Sequence, residues 1–183
     1  YDKKRKIIGR WQKSCMQGDL NKTKETEIQG AFMNQVFDLV LGYSTITSTD
    51  TDYYNQKQEY NSALDATEAD GGLGYFSIVH KVKDIRAVVE LKDATTDLDK
   101  KQNRSSHLTP VEQAFFYANK NGSKCGWVIV SNFIEIRLYK SNSMLEYEVF
   151  DIRKMDDEKE FLRFYFFLCK DHLIRQAGKS RID

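Results

Sequence analysis

One short apolar run constrains the fold of this 183-residue chain more than any other segment, namely Trp127–Ser131 (WVIVS). A continuous apolar run of this length is typical of a central strand that is buried on both faces. Such a strand lies within a sheet that has helices on either side. The run therefore predicts an α/β protein with a central mixed sheet flanked by helices.

The segments before this run predict the first half of that architecture. Apolar residues recur every three or four positions over about 24–41, which predicts a helix ended by Gly42. Strands are predicted at 54–61, at 73–79 and at 85–91. The last two are expected to form a hairpin around a turn at 81–84.

The segments after residue 93 complete the architecture. A polar loop at 93–106 leads to a second helix with clear start signals, because Thr109 and Glu112 form a capping box and Pro110 occupies the first helical position. Asn121 and Gly122 end this helix. Three further elements are predicted: a half-exposed strand at 134–139, a strand near 145–150 and a last helix near 156–173.

Charge and composition exclude some function classes. The 28 Lys and Arg residues nearly balance 27 Asp and Glu, giving a net charge of +1, whereas a domain that binds DNA by bulk charge is usually far more basic. The 13% aromatic content argues against disorder, and a single proline excludes Pro-rich and collagen-like classes. Two interpretations stay open for the basic N-terminus, a solvated face with a frayed tail or part of a basic cleft. Its residues are Lys3, Lys4, Arg5, Lys6, Arg10 and Lys13.

The cysteines and the apolar runs indicate a compartment. Cys15, Cys125 and Cys169 are widely spaced without a C-x-x-C motif, which is typical of free thiols in a reducing cytoplasm. No apolar run approaches 18 residues and no secretory leader pattern follows the basic start. We expect a soluble cytoplasmic protein without a membrane segment.

An acid and a lysine come together at the end of a strongly apolar strand. With a period of two, Glu90 and Lys92 point to the same face as Val88. The simpler interpretation of this E-x-K pattern is a surface ion pair with no catalytic or binding role. A functional interpretation gains weight because ionised groups on a mostly buried strand require a partner or a role.

A second acid lies across the predicted hairpin. Pairing around the turn places Asp70 opposite the Glu90–Lys92 end, whereas Asp84 lies about 20 Å away along the strand. Asp70 could instead be a turn residue beside Gly71. Two carboxylates with a lysine would form an oxygen-rich site for Mg²⁺, which needs few protein ligands. Such an ion lowers the pKa of a bound water and stabilises charge on a phosphate.

These residues resemble the metal site of the PD-(D/E)xK nuclease superfamily, and the order helix, three strands, helix, strand resembles its restriction endonuclease-like core. Neighbouring segments resemble the N-terminal endonuclease domain of type IIG restriction-modification enzymes over roughly 25–139. The similar segments are 27–32 (EIQGAF), 40–43 (VLGY), 107–117 (HLTPVEQAFFY) and 127–132 (WVIVSN). One departure is that Asp70 follows Ala69 rather than a proline.

The resemblance implies a role for each matching residue. Asp70, Glu90 and the backbone carbonyl of Leu91 would bind Mg²⁺ (or Mn²⁺ in its place), and Lys92 would position the attacking water or stabilise the phosphate. Glu27 would reach the metal from the first helix, with Glu25 as the alternative if the helix phase differs. Two further residues match the Q-x-x-x-Y pattern of RecB-like members and would contact the site or the DNA backbone, namely Gln113 and Tyr117.

The implied function is a Mg²⁺-dependent DNA endonuclease acting on double-stranded DNA. The alternatives are a non-catalytic DNA- or protein-binding module on the same fold and the nuclease domain of a type I restriction subunit. The expected organisation is one nuclease domain, with a basic segment at 1–22, a core at 23–140 and a C-terminal strand and helix at 141–183. Because the single proline excludes an Asn-Pro-Pro-Tyr loop, methyltransferase and target-recognition parts are expected outside this chain. A homodimer would allow cleavage of both strands, although no residues here define its surface.

Overall fold

In a computed structural model of the chain, which describes residues 1–61, 68–103 and 107–175, the core is a mixed six-stranded sheet. The strands lie in the order β1-β2-β3-β4-β5-β6. β3 and β4 run parallel, and all other neighbours run antiparallel. The strand bounds are Tyr54–Asn61 (β1), Glu68–Ser77 (β2), Val82–Leu91 (β3), Trp127–Ser131 (β4), Glu135–Lys140 (β5) and Tyr147–Asp151 (β6).

Helices cover both faces of the sheet, which confirms the predicted α/β class. The helices are Asp2–Met16 (α1), Glu25–Phe32 (α2), Pro110–Lys120 (α3), Glu158–Leu168 (α4) and Lys170–Leu173 (α5). The predicted first helix is present, but its second half, Met33–Val40, is a π-helix with wider turns. The predicted last helix is divided at Cys169, whose extended backbone (ψ 147°) interrupts it.

Two apolar layers enclose the sheet. One face packs on α1, α2, the π-helix, α4 and α5, with Val89 and Ile129 fully buried between them. The other face packs on α3, the crossover that joins the parallel strands β3 and β4, through residues such as Val88 and Ala114. β4 is buried on both faces, as its apolar run predicts.

The β2–β3 hairpin differs from its prediction in the position of the turn. The turn occupies 78–81 rather than 81–84, so Ile78 and Val79 are each 68% exposed instead of lying in a strand. A bulge at Leu73 and Gly74 shifts the register between the strands. A Cβ atom on Gly74 would lie 2.0 Å from the carbonyl oxygen of Asp84, so this close approach requires glycine.

The N-terminus and β5 correct two further predictions. α1 is a regular helix that buries Ile8, Trp11 and Cys15, so the interpretation as a frayed tail is wrong. β5 is largely buried rather than half exposed, because the guanidinium of Arg137 pairs with Asp99 and is covered. The three cysteines are buried and unpaired, as expected. Among the described residues, every helix is too short or too polar to cross a bilayer.

Candidate active site

Asp70 lies at the point where β2 and β3 stop pairing through their backbones. The last described pair of these strands is Gly71 with Val89, so Asp70 lies beside Glu90 as predicted. Its side-chain Oδ2 accepts a hydrogen bond of 2.7 Å from the backbone N–H of Leu91. The carboxylate of Asp70 thus accepts the hydrogen bond that a backbone carbonyl of the neighbouring strand would otherwise accept. This bond fixes the carboxylate against the end of β3.

Glu90 and Lys92 form a buried ion pair on the α3 face of β3. Glu90 is 1% exposed and Lys92 is 4% exposed. The Lys92 ammonium donates to Glu90 Oε1 and, at 3.0 Å, to the backbone carbonyl oxygen of Leu91. The second carboxylate oxygen, Glu90 Oε2, is buried without a hydrogen-bond partner among the described residues. A buried carboxylate oxygen without a partner is costly, so Glu90 Oε2 is the oxygen of this pair that is available to a ligand.

The surroundings of Glu90 oppose its negative charge. Burial first, and then the nearby charge of Asp70, raise the pKa of its carboxyl to about 8 despite the lowering effect of Lys92. Two carboxyl groups held together with little water repel one another when both are ionised. A cation placed between them would relieve that repulsion.

The acid that α2 brings to this cluster is Glu25 rather than Glu27. Glu25 is half-buried and its charge acts on Glu90, whereas Glu27 is exposed. Glu25 lies three residues before Ile28, so it shares the inward face of the helix. Glu27 follows Glu25 by two positions, and two positions turn an α-helix by about 200°. The side chain of Glu27 therefore points away from the cluster. The structure therefore places Glu25, the alternative acid of the sequence analysis, next to the cluster. A role in metal binding for either acid stays a prediction.

Asp93 explains how α2 is positioned, although no sequence pattern marked it. Its Oδ1 accepts a hydrogen bond of 2.6 Å from the backbone N–H of Glu25, the first residue of α2. A carboxylate at a helix N-terminus satisfies an unpaired amide and complements the dipole. Because Asp93 follows Lys92 directly, this bond places the start of α2 at the end of β3. Only the long-range fold reveals it, since Asp93 lies 68 residues from Glu25.

α3 brings Gln113 and Tyr117 to the same face. The Gln113 Nε2 donates to the Tyr117 hydroxyl at 3.0 Å, and Gln102 Nε2 donates to Gln113 Oε1 at 2.9 Å. Burial raises the pKa of the Tyr117 hydroxyl, which also experiences the charges of Glu90 and Lys92. The predicted pair therefore lies beside the cluster, while Gln102 was missed because it comes from an irregular polar loop.

The glycine after Asp70 has a steric reason. A Cβ atom on Gly71 would lie 2.8 Å from Met33 Cε and 3.4 Å from Val89 Cβ. Met33 begins the π-helix and is fully buried. Glycine therefore lets the helix layer pack directly over the strand that carries Asp70.

The donor set fits a hard divalent cation. Two carboxylates and one backbone carbonyl are oxygen ligands, and Mg²⁺ often binds through one or two carboxylates while it keeps several waters. The residues concerned are Asp70, Glu90 and Leu91. Within the described ranges, no three His, Cys, Asp or Glu side chains form a metal-binding cluster. An ion held by these residues would therefore take most of its ligands from water.

The sheet and its flanking helices define a restriction endonuclease-like fold. No protein-family model matches the sequence. No curated protein matches it either. Among solved structures, the chain is similar to a chain of the DrdV–DNA complex determined by cryo-EM, with a TM-score of 0.50 and 14% sequence identity. The match covers 88% of this chain and 96% of that chain. At this identity, the likeness concerns the fold.

Proposed function

We propose that this protein is a Mg²⁺-dependent DNA endonuclease domain that hydrolyses phosphodiester bonds. The observation that supports it most is the convergence of Asp70, Glu90 and Lys92 at one end of β3, where one buried carboxylate oxygen of Glu90 has no hydrogen-bond partner in the described part of the chain. The similar chain comes from a complex with DNA, which supports DNA as the partner, and we propose that the substrate is double-stranded.

The acidic residues would hold the ion. Asp70, Glu90 and the carbonyl oxygen of Leu91 supply oxygen ligands for Mg²⁺, for which Mn²⁺ would substitute. When bound, the ion supplies an activated water and stabilises charge on the scissile phosphate. Glu25 would reach the ion through water from the start of α2, in place of Glu27.

Lys92 would act on the phosphate or on the attacking water. Its ammonium is held in a fixed position by Glu90 and by the carbonyl of Leu91, in surroundings with little water. A fixed positive charge in such surroundings stabilises developing negative charge better than a charge in bulk water. Gln113 and Tyr117, which are bonded to one another, would contact the DNA backbone beside this position.

The surrounding organisation belongs to the same proposal. The chain would be the nuclease part of a cytoplasmic restriction enzyme, with the methyltransferase and target-recognition parts outside it. Two copies would pair to cut both strands. The predicted C-terminal segment reaches into residues 176–183, which lie outside the described residues.

Plasmid cleavage in Mg²⁺ or Mn²⁺ tests the reaction. The parent is expected to cut, and Glu90→Ala and Lys92→Ala are expected to abolish cutting. Asp84→Asn is the matched control, because Asp84 is on the same hairpin but pairs with Arg86 at the far end of β3. Undiminished cutting by both site variants would refute the assignment.

Calorimetry separates the nuclease from a non-catalytic binding module on the same fold. The parent is expected to bind Mn²⁺ at millimolar concentration, and Asp70→Asn is expected to lose this binding. The asparagine retains an oxygen that accepts the Leu91 N–H, so the strand end stays closed. If the parent binds DNA but binds neither Mg²⁺ nor Mn²⁺, the result would favour the non-catalytic binding module.

A further inference from the structure

The basic residues of α1 divide into two sets with different surroundings. Lys4 and Arg5 pack against α4, where Lys4 Nζ donates to the Tyr165 hydroxyl at 2.8 Å and Arg5 lies over the ring of Phe161. The other set is exposed to solvent, and no ion pair involves it among the described residues. We call this set the basic face of α1, and it consists of Lys3, Lys6, Arg10 and Lys13.

The spacing of the basic face suits a polyanion. Its members are three, four and three residues apart, so they form one stripe along the helix. At 1.5 Å per residue the stripe is about 15 Å long, so it spans several phosphates of one DNA strand, which succeed one another at about 3.4 Å along the duplex axis. α1 holds six basic residues and one acid, whereas the whole chain has a net charge of +1. The rest of the molecule is therefore net negative, and positive charge is concentrated on this helix.

α1 lies at the end of the sheet that carries the candidate site. Gln12 Nε2 donates to the carbonyl of Arg153, in the 3₁₀ turn that follows the end of β6. The Trp11 ring packs on Phe32, and Phe32 packs on Phe133 just after β4, with centroid distances of 5.1 Å in both pairs. β3 ends at the same edge, because β3 and β4 are parallel.

The exposed side of α1 also borders the start of α2. Arg10 shares a surface cleft with Thr23 and Ile28. Glu25, two residues after Thr23, bonds to Asp93 at the end of β3. One end of the basic face therefore borders the start of α2, and the start of α2 is bonded to the end of β3.

We propose that the basic face of α1 binds the phosphate backbone of duplex DNA and guides it to the end of β3. This inference rests on the proposed function, in which DNA is the substrate. Lysine and arginine contacts to phosphates give affinity without sequence information, and they release counterions. The face would therefore contribute affinity and orientation, while recognition of a target sequence would come from elsewhere.

Fluorescence anisotropy with a labelled duplex oligonucleotide in EDTA tests this proposal without cleavage. The test variant carries Lys3→Gln, Lys6→Gln, Arg10→Gln and Lys13→Gln. The matched control removes the same charge at the opposite end of the sheet, with Lys81→Gln, Lys83→Gln, Lys124→Gln and Lys140→Gln. Circular dichroism checks that both variants are folded.

The expected result is a loss of affinity in the test variant only. At about 50 mM salt the loss should exceed about tenfold, and the slope of log K against log salt should shrink by about 3 to 4. A further variant, in which the three lysines of the face become arginine, should bind like the parent because its charge is kept. Equal losses in the test and control variants would show a bulk-charge effect and overturn the proposal.

Three other outcomes are decisive. Tighter binding of the parent to phosphatidylglycerol vesicles than to DNA would overturn the proposal in favour of a membrane surface. A parent that binds DNA through α1 but never cuts it would support the basic face and refute the nuclease. Normal cutting and binding by the test variant would refute the basic face and leave the nuclease intact.

Discussion

The two faces of β3 bury side chains equally well but differ in chemistry. On the face toward α1 and α2, Ala87, Val89 and Leu91 are apolar throughout. On the face toward α3, Val88 is followed by Glu90 and Lys92, both buried. An apolar pair would have packed the second face at lower cost, because burying ionised groups is unfavourable. The α3 face of β3 is therefore organised around charged groups at the end of the strand.

The same contrast extends to the layers beyond β3. The α1 side contains a chain of edge-to-face aromatic rings through Trp11, Phe32 and Phe133. The α3 side contains hydrogen-bonded polar groups, among them Gln113 with Tyr117. We therefore expect substitutions on the α1 side to change stability and those near the end of the α3 face to change chemistry.

The largest expected effect is on cleavage by Lys92→Met. Loss of the ammonium should reduce the rate by about 10²–10³-fold, the usual scale for one preorganised electrostatic group. Folding should survive, because loss of the ammonium raises the pKa of Glu90 further above about 8 and leaves its buried carboxyl neutral at pH 7. Plasmid-cleavage kinetics and thermal melts measure the two effects. Cleavage by Lys92→Met at the parent's rate would contradict a chemical role for the α3 face of β3.

For Ile129→Ala, on the α1 side of the sheet, we expect a loss of stability with cleavage retained. Ile129 is fully buried and pairs with Val89, so truncation should cost about 2–5 kcal/mol of unfolding free energy. Urea denaturation measures this loss, and the folded fraction should still cut DNA. Val149→Ala, at a 42% exposed position on β6, is the control and should change stability by at most about 0.5 kcal/mol.

A smaller loss is expected for Thr109→Ala, at the start of α3. The Thr109 hydroxyl accepts from the N–H of Glu112, and the Glu112 side chain accepts from the N–H of Thr109. Removing one half of this capping box should cost about 1 kcal/mol in denaturant unfolding. Thr26→Ala removes an exposed hydroxyl within α2 and should have almost no effect. Equal losses in both variants would show that the cap does not stabilise α3.

The smallest effect is expected at Asp99, and it should depend on pH. The guanidinium of Arg137 holds the pKa of the Asp99 carboxyl below its usual value. A lowered folded-state pKa stabilises the protein above the unfolded pKa of about 4, and this contribution is lost as pH falls through the folded value. Asp99→Asn should therefore lower the melting temperature slightly at neutral pH. A difference from the parent that persists in strong acid would contradict this origin.

Local patterns predicted the parts of the fold that local chemistry determines. The capping box at Thr109 and Glu112 and the doubly buried β4 are present because backbone satisfaction and burial follow directly from neighbouring residues. The meeting of Asp70 with the Glu90–Lys92 end was also predictable, since it needs only the pairing of one hairpin.

Long-range contacts determine what the patterns missed. Arg137 is buried because it pairs with Asp99, 38 residues earlier. The alternation of apolar and polar residues in β5 therefore predicted a half-exposed strand, whereas the strand is largely buried. α1 is ordered by contacts with the π-helix and with the 3₁₀ turn after β6, which its basic composition does not reveal. The phase of α2 depends on its bond to Asp93, which made Glu25 rather than Glu27 the inward acid.

The hydrogen bond from Leu91 to Asp70 gives this molecule an internal reporter. The Leu91 amide is held by a side chain rather than by a strand carbonyl, so its exchange with deuterium depends on one carboxylate. Any cation that draws electron density from that carboxylate would weaken the bond and shift the amide resonance. A single backbone signal would thus record both the closure of the sheet at Asp70 and the binding of a cation there.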